Sequence, residues 1–228
     1  MSYFVIVKKE LRDAFKTKTI WLAIVIFILT SSYYFYTATR NVEAASDFLE
    51  YFALYGLTPF SISLPAILSM TIFGHEKAQG KIEMLLTTPI TPKALWFGKT
   101  LTLTAITYLP IVTMFLFSLS ILSIGLSLAI SVSLLTLFHV FVILPLLCFA
   151  TIGLIGIVHL ASSKAGLGFA VGMILMVVAI NVGIAMAFLF PGMLQYYSAL
   201  FATLTVLLLV LNFGYLGRLK REQIVLSR

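Results

Sequence analysis

Between Lys99 and Lys164 the chain carries no Asp, Glu, Lys or Arg. Lipid is the natural surrounding for such a run, because a charge at mid-bilayer costs roughly 2.5–3.5 kcal/mol on insertion scales. Charge-free gaps therefore mark spans, and each span needs about 20 apolar residues. Residues 19–39 fit one span and residues 51–74 a second. The gap from Thr100 to Ser163 holds two, at about 100–123 and 128–158, with a tight turn near Ser123–Ser127. The gap from Ala165 to Gly217 holds two more, at about 165–189 and 198–217, separated near Pro191-Gly192. Composition agrees: 61% of residues are hydrophobic and 10% charged, against about 25% charged in a soluble domain. The expected fold class is all-α, a polytopic membrane protein with six transmembrane helices in residues 19–217.

Orientation follows from Lys and Arg, which collect on the cytoplasmic side. With the N-terminus inside, Lys8, Lys9, Arg12, Lys16, Lys18, Lys77, Lys81, Lys93, Lys99, Lys164, Arg218, Lys220, Arg221 and Arg228 are all cytoplasmic. Of the 15 basic residues only Arg40 then lies outside, beside Glu43, Asp47 and Glu50. An odd number of helices in either long gap would destroy this pattern. The expected location is the plasma membrane, with both ends cytoplasmic and a basic tail at 218–228. The formal net charge of +7 then reads as a topology signal and a contact with anionic lipid headgroups, not as nucleic-acid binding. The first apolar run is as long as a full span and lacks a persuasive small-residue cleavage site, so it reads as an uncleaved span.

Two pieces outside the bilayer have helical patterning. In residues 1–18, Phe4, Val7, Leu11 and Phe15 take one face and Lys8, Lys9, Arg12, Asp13 and Lys16 the other. That pattern is an interfacial amphipathic helix; the plainer reading is a basic flank that sets topology. In the loop 75–99, His75 to Leu86 contains good helix formers and no proline. Lys77 and Lys81 share a face, as do Gln79 and Glu83, while Ile82, Leu85 and Leu86 form an apolar cluster. Thr88-Pro89 and Thr91-Pro92 end the helix, because proline disfavours helical geometry in the residue before it. A second short amphipathic piece, Lys93 to Lys99, leads into the third span. The expectation is a cytoplasmic helical hairpin; the alternative is an ordinary solvated linker.

Glu76, Gly80, Glu83, Leu85, Leu86, Thr88, Pro89, Gly98 and Lys99 together resemble the first cytoplasmic loop of type-2 ABC exporter permeases. The resemblance in layout extends to six spans, cytoplasmic termini and an N-terminal interfacial helix, although only the loop is motif-like. It implies that His75, Glu76, Lys77, Gln79, Gly80, Lys81, Ile82, Glu83, Leu85, Leu86 and Pro89 form a coupling helix docked on a separate ATPase subunit. It also implies two copies of that ATPase and a permease homodimer, or a heterodimer with a related permease. Family members often carry Thr or Ser where this chain has Lys81, so the family's contacts do not transfer to that position.

What is missing narrows the chemistry. Gly98-Lys99 lacks the first glycine of a phosphate-binding loop, since Lys93 stands there. ATP and Mg²⁺ would sit on the partner subunit, and no cofactor is expected in this chain. The spans contain no carboxylate, lysine or arginine, which weighs against a proton-coupled carrier. No paired carboxylates, metal cluster or activated nucleophile points to an enzyme. Among the polar span residues, His139 fits a helix–helix hydrogen bond or a ligand contact, and Met173, Met176 and Met186 fit packing or a metal path. Gly168 and Gly172 make a small-xxx-small pair. Pro59, Pro65, Pro110 and Pro145 interrupt spans as hinges or as static kinks. With the family's path at the dimer interface, Thr58, Ser61, Ser63 and Asn181 are the residues expected to line it.

The functional expectation is the membrane-spanning permease subunit of an ATP-driven ABC exporter. Its apolar path suits an amphipathic or hydrophobic substrate such as a lipid, drug or peptide. The alternative is a membrane anchor or regulatory partner that binds a cytoplasmic protein through the same loop.

Overall fold

The computed structural model describes residues 49–87, 90–125, 132–162, 165–189 and 194–218, with Arg12, Val25 and Leu29 as single positions. Apart from those single positions, the N-terminal interfacial helix and the first span at 19–39 lie outside the described residues, as do the tail beyond residue 218, Leu126 and Ser127 of the Ser123–Ser127 turn, and Pro191-Gly192. Among the described residues 94% are helical and none is in a strand. Helix α1 runs Leu49–Ala78, α2 Lys81–Thr87, α3 Pro92–Ser123 and α4 Leu134–Ala161. Helix α5 runs Ala165–Leu189 and α6 Leu194–Leu216.

Four of these helices (α1, α3, α4 and α6) are long and apolar enough to cross a membrane. In α5 the corresponding apolar stretch is shorter, Ala170–Val182. Helices α1, α3 and α4 span 30, 32 and 28 residues, and at about 1.5 Å per residue each exceeds the ~30 Å hydrocarbon core. The surplus lies partly at the polar end, where α1 runs on to Ala78 and α3 begins at Pro92. Helix α2 lies between these two ends.

The prolines do not break the spans. Pro65 lies inside α1 and Pro110 inside α3, and both helices continue through them. The irregularities are instead π-turns, at Phe52–Gly56 in α1, Ile121–Gly125 at the end of α3 and His139–Ile143 in α4. A π-turn redirects carbonyls, and side chains reach two of those here. Thr58 Oγ1 donates to Leu54 O, and Tyr108 Oη donates to Val140 O at 3.0 Å.

Helices α1 and α4 form the centre. Helix α1 packs on α3, α4 and α5, and α4 packs also on α3, α5 and α6. The α4–α5 approach is close because Gly168 faces His159: a Cβ there would meet His159 Nε2 at 2.2 Å. Gly172 leaves similar room for Met70 and Ile155. The small-xxx-small pair therefore packs within one chain. At the end of the bundle away from α2, Ser133 caps α4 through its hydroxyl, and Glu50 Oε1 accepts from Ser133 N at 3.1 Å. A carboxylate at a helix N-terminus is favourable. Large apolar side chains outline the exterior, among them Leu109, Leu116, Phe138, Val206, Val210 and Phe213. This is the surface of a protein solvated by lipid.

Candidate functional site

The polar hairpin is built from the end of α1, all of α2 and the start of α3. The sequence pattern treated His75 to Leu86 as one helix; the structure divides it. His75 to Ala78 continue α1, and α2 begins at Lys81. Gly80 makes the division with φ 69°, a left-handed conformation that costs a non-glycine residue about 1–2 kcal/mol. Gln79 N donates to His75 O and Gly80 N to Lys77 O, both at 3.0 Å, so the turn satisfies the carbonyls at the end of α1. On the other side Thr91 caps α3, accepting from Ala94 N at 3.2 Å, with Pro92 in the first turn. The expected amphipathic piece Lys93 to Lys99 is the first two turns of α3. Pro89 and Thr88 lie outside the described residues.

Three fastenings hold the hairpin to the spans. Glu76 on α1 and Lys99 on α3 form an ion pair at 2.7 Å, with the Lys99 side chain 1% exposed. Lys77 Nζ donates to His159 O at 2.6 Å and to Ser162 O, at the C-terminus of α4. A cation there complements both the orphan carbonyls and the helix dipole. Finally, Ile82 and Leu86 of α2 are buried with Ile90, Leu95, Trp96, Ile157, Leu160 and Leu216, and Leu85 packs against this cluster. Helix α2 is thereby seated on the ends of α3, α4 and α6.

This seating determines what the hairpin presents outward. His75, Gln79, Lys81, Met84 and Thr87 are exposed, Met84 at 69%. Gln79 Nε2 lies 2.6 Å from His75 Nε2 along this outer edge. Glu83 points the other way: both carboxylate oxygens are buried and neither has a hydrogen-bond partner among the described residues. The outer ridge is consequently basic, with one apolar side chain. The sequence pattern grouped Ile82, Leu85 and Leu86 as the cluster of interest and passed over Met84. Its signal was its position two residues from Ile82 and from Leu86, opposite both on the helix.

The four residues expected along a path are not brought together as a lining. Thr58 and Ser61 are fully buried within the packing of one chain, and Ser63 is half-buried. Ser61 Oγ donates to Thr58 O at 2.6 Å, and Cys148 Sγ to Ser61 O at 3.3 Å. Asn181 is exposed on α5 and, among the described residues, donates to Val177 O, at 2.8 Å, in its own helix.

Thr58 belongs to a different arrangement. His139 is buried, with Nε2 2.9 Å from Thr58 Oγ1 and Nδ1 3.1 Å from Ser198 Oγ. Since the Thr58 hydroxyl donates to Leu54 O, consistent bonding makes His139 Nε2–H the donor to Thr58 and Nδ1 the acceptor from Ser198. The imidazole links α1, α4 and α6, in keeping with a helix–helix hydrogen-bonding histidine. Among the described residues no group of three His, Cys, Asp or Glu side chains is placed to hold a metal.

No family model matches the chain, and no curated protein or solved structure matches it.

Proposed function

We propose that the chain is the membrane-spanning permease subunit of an ATP-driven exporter of the type-2 ABC class. In this reading it has six spans, cytoplasmic ends and a plasma-membrane location. The observation that carries it is the hairpin: a seven-residue helix, raised on two overlong helices, fastened to three spans, and facing water with a narrow ridge. A linker between spans needs none of these fastenings. A lever that receives force from a soluble subunit needs all of them, because displacement of α2 is passed directly to α1, α3 and α4.

The ATPase is a separate polypeptide present in two copies, which binds ATP and Mg²⁺ and docks on the ridge of His75, Gln79, Lys81, Met84 and Thr87. Closure of the two ATPase subunits would draw the two hairpins together and shift the spans. The substrate is amphipathic or hydrophobic, as expected for a path between spans without charged residues. Within the proposed site, Ile82, Glu83, Leu85 and Leu86 seat the hairpin, and Lys81, Met84 and their exposed neighbours touch the partner.

Purification of the tagged chain from its own membranes tests this. An ATP-hydrolysing subunit is expected to co-purify, and Met84→Asp is expected to weaken its retention at least tenfold, about 1.4 kcal/mol, while the variant remains folded. Wild-type chain that retains no ATPase overturns the exporter reading. A retained cytoplasmic protein without ATPase activity would instead favour the anchor or regulatory reading.

A further inference from the structure

We infer that the hydroxyls of Tyr55 and Tyr197 hold one bound water between α1 and α6, beside His139. The site lies inside one chain and rests on no part of the exporter reading.

Two phenols define it. Tyr197 is fully buried, and its ring centroid lies 4.4 Å from that of Tyr55. Both Oη atoms are buried, and neither has a hydrogen-bond partner among the described residues. The Thr58 hydroxyl lies near Tyr197 Oη but closes no bond to it. Leaving a buried hydroxyl unpaired is costly, and here two stand together. The surroundings are polar and closed. Thr58 and His139 are fully buried and Ser198 nearly so, and the His139 ring lies 6.4 Å from that of Tyr197. Two π-turns also meet at this level: Tyr55 lies within Phe52–Gly56, and His139 opens His139–Ile143. Such turns are frequent at functional sites.

The donors and acceptors select the occupant. Both ring nitrogens of His139 are already bonded. Thr58 Oγ1 donates to Leu54 O and accepts from His139 Nε2–H, which leaves it one lone pair. Each phenol offers an O–H. The occupant must therefore accept from Tyr55 and Tyr197 and donate to Thr58. An anion only accepts, and a metal ion engages lone pairs only. Water does both, fits among fully buried side chains, and makes about three hydrogen bonds in a typical buried site. It closes a ring of hydrogen bonds from Ser198 on α6 through His139 on α4 and Thr58 on α1 back to Tyr197. The three helices are then tied by that ring rather than by His139 alone.

Hydroxyl-radical footprinting by X-ray radiolysis of the purified chain in nanodiscs tests the site, because a bound water is a local source of radicals. Tyr197 is expected to be labelled roughly tenfold faster than Trp96 if a water sits against it. Trp96 is equally buried but donates directly to Gly153 O. Tyr197→Phe is expected to lower the unfolding midpoint. Adding Tyr55→Phe should lower it little further, since the two hydroxyls share one occupant. A hydroxyl with no partner gives the opposite sign, because its removal leaves the midpoint unchanged or raises it. Labelling of Tyr197 no faster than of Trp96, or a Tyr197→Phe midpoint at or above the wild-type value, overturns the shared water. Losses that simply add in the double variant overturn it as well.

Discussion

At Gly153 three helices meet with no room for a methyl group. A Cβ there would lie 2.8 Å from both Trp96 Cζ2 and Asn212 Nδ2. Trp96 Nε1 donates to Gly153 O at 2.9 Å, and Asn212 Nδ2 to Ala150 O at 2.8 Å. The two polar side chains reach backbone carbonyls of α4 only because the glycine lets α3 and α6 come close. Gly153→Ala should cost about 1–3 kcal/mol through overpacking, measured as a lower unfolding midpoint in detergent; an unchanged midpoint would mean that the close approach is not maintained. His139→Ala should cost a comparable ~1–3 kcal/mol by stranding the buried Ser198 hydroxyl, while Thr58 keeps its bond to Leu54 O. The residue types were visible in the sequence, but their partners were not: nothing in the spacing of Trp96, Gly153 and Asn212 predicts that they touch.

The hairpin α1–α2–α3 is the element on which the functional reading stands. Its ion pair makes a sharp prediction because buried pairs contribute asymmetrically. Removing one partner strands a charge and costs up to about 3–5 kcal/mol, whereas replacing both with apolar residues of similar volume is often neutral. Lys99→Met alone should therefore destabilise strongly, toward the lower end of that range because Glu76 is 21% exposed. Lys99→Met combined with Glu76→Leu should recover most of the loss, as read from unfolding midpoints of the single and double variants. A double-variant loss equal to the sum of the losses in Lys99→Met and Glu76→Leu would mean that the two charges contribute independently. Gly80→Ala should cost about 1–2 kcal/mol and speed hydrogen exchange in Lys81–Thr87. That this segment is helical, and that proline closes it, follows from residue spacing. That it divides at Gly80, and that Glu83 turns inward, depends on where α4 and α6 end.

At the scale of the molecule, charge decides orientation. If 14 of the 15 basic residues face the cytoplasm, a cysteine at Ala44 should react with an impermeant maleimide only from outside. A cysteine at Met84 should react only from inside. Labelling of both from one side would break the six-span topology. Four membrane-length helices are present among the described residues, and Glu50 at the N-terminal end of α1 reaches α4 while Lys77 at its C-terminal end reaches α4 at the opposite terminus. The two polar ends of α1 thus clamp α4 along its whole length.

The amino-acid sequence alone determined that the chain is helical and apolar enough for lipid, and that one polar hairpin stands out of it. These follow from the cost of placing a charge or an unpaired peptide group in hydrocarbon, which depends on residue type and run length alone. Tertiary structure alone decided which face of each helix is inside. In water an apolar stripe names the buried face, but in a bilayer both faces are apolar, because lipid tails are as apolar as leucine. Hence Thr58 and Ser61, chosen from sequence as path residues, are packed in the interior. Asn181, chosen for the same reason, lies on the outer face. Met84 stands alone on the ridge because Ile82 and Leu86 found partners on three other helices.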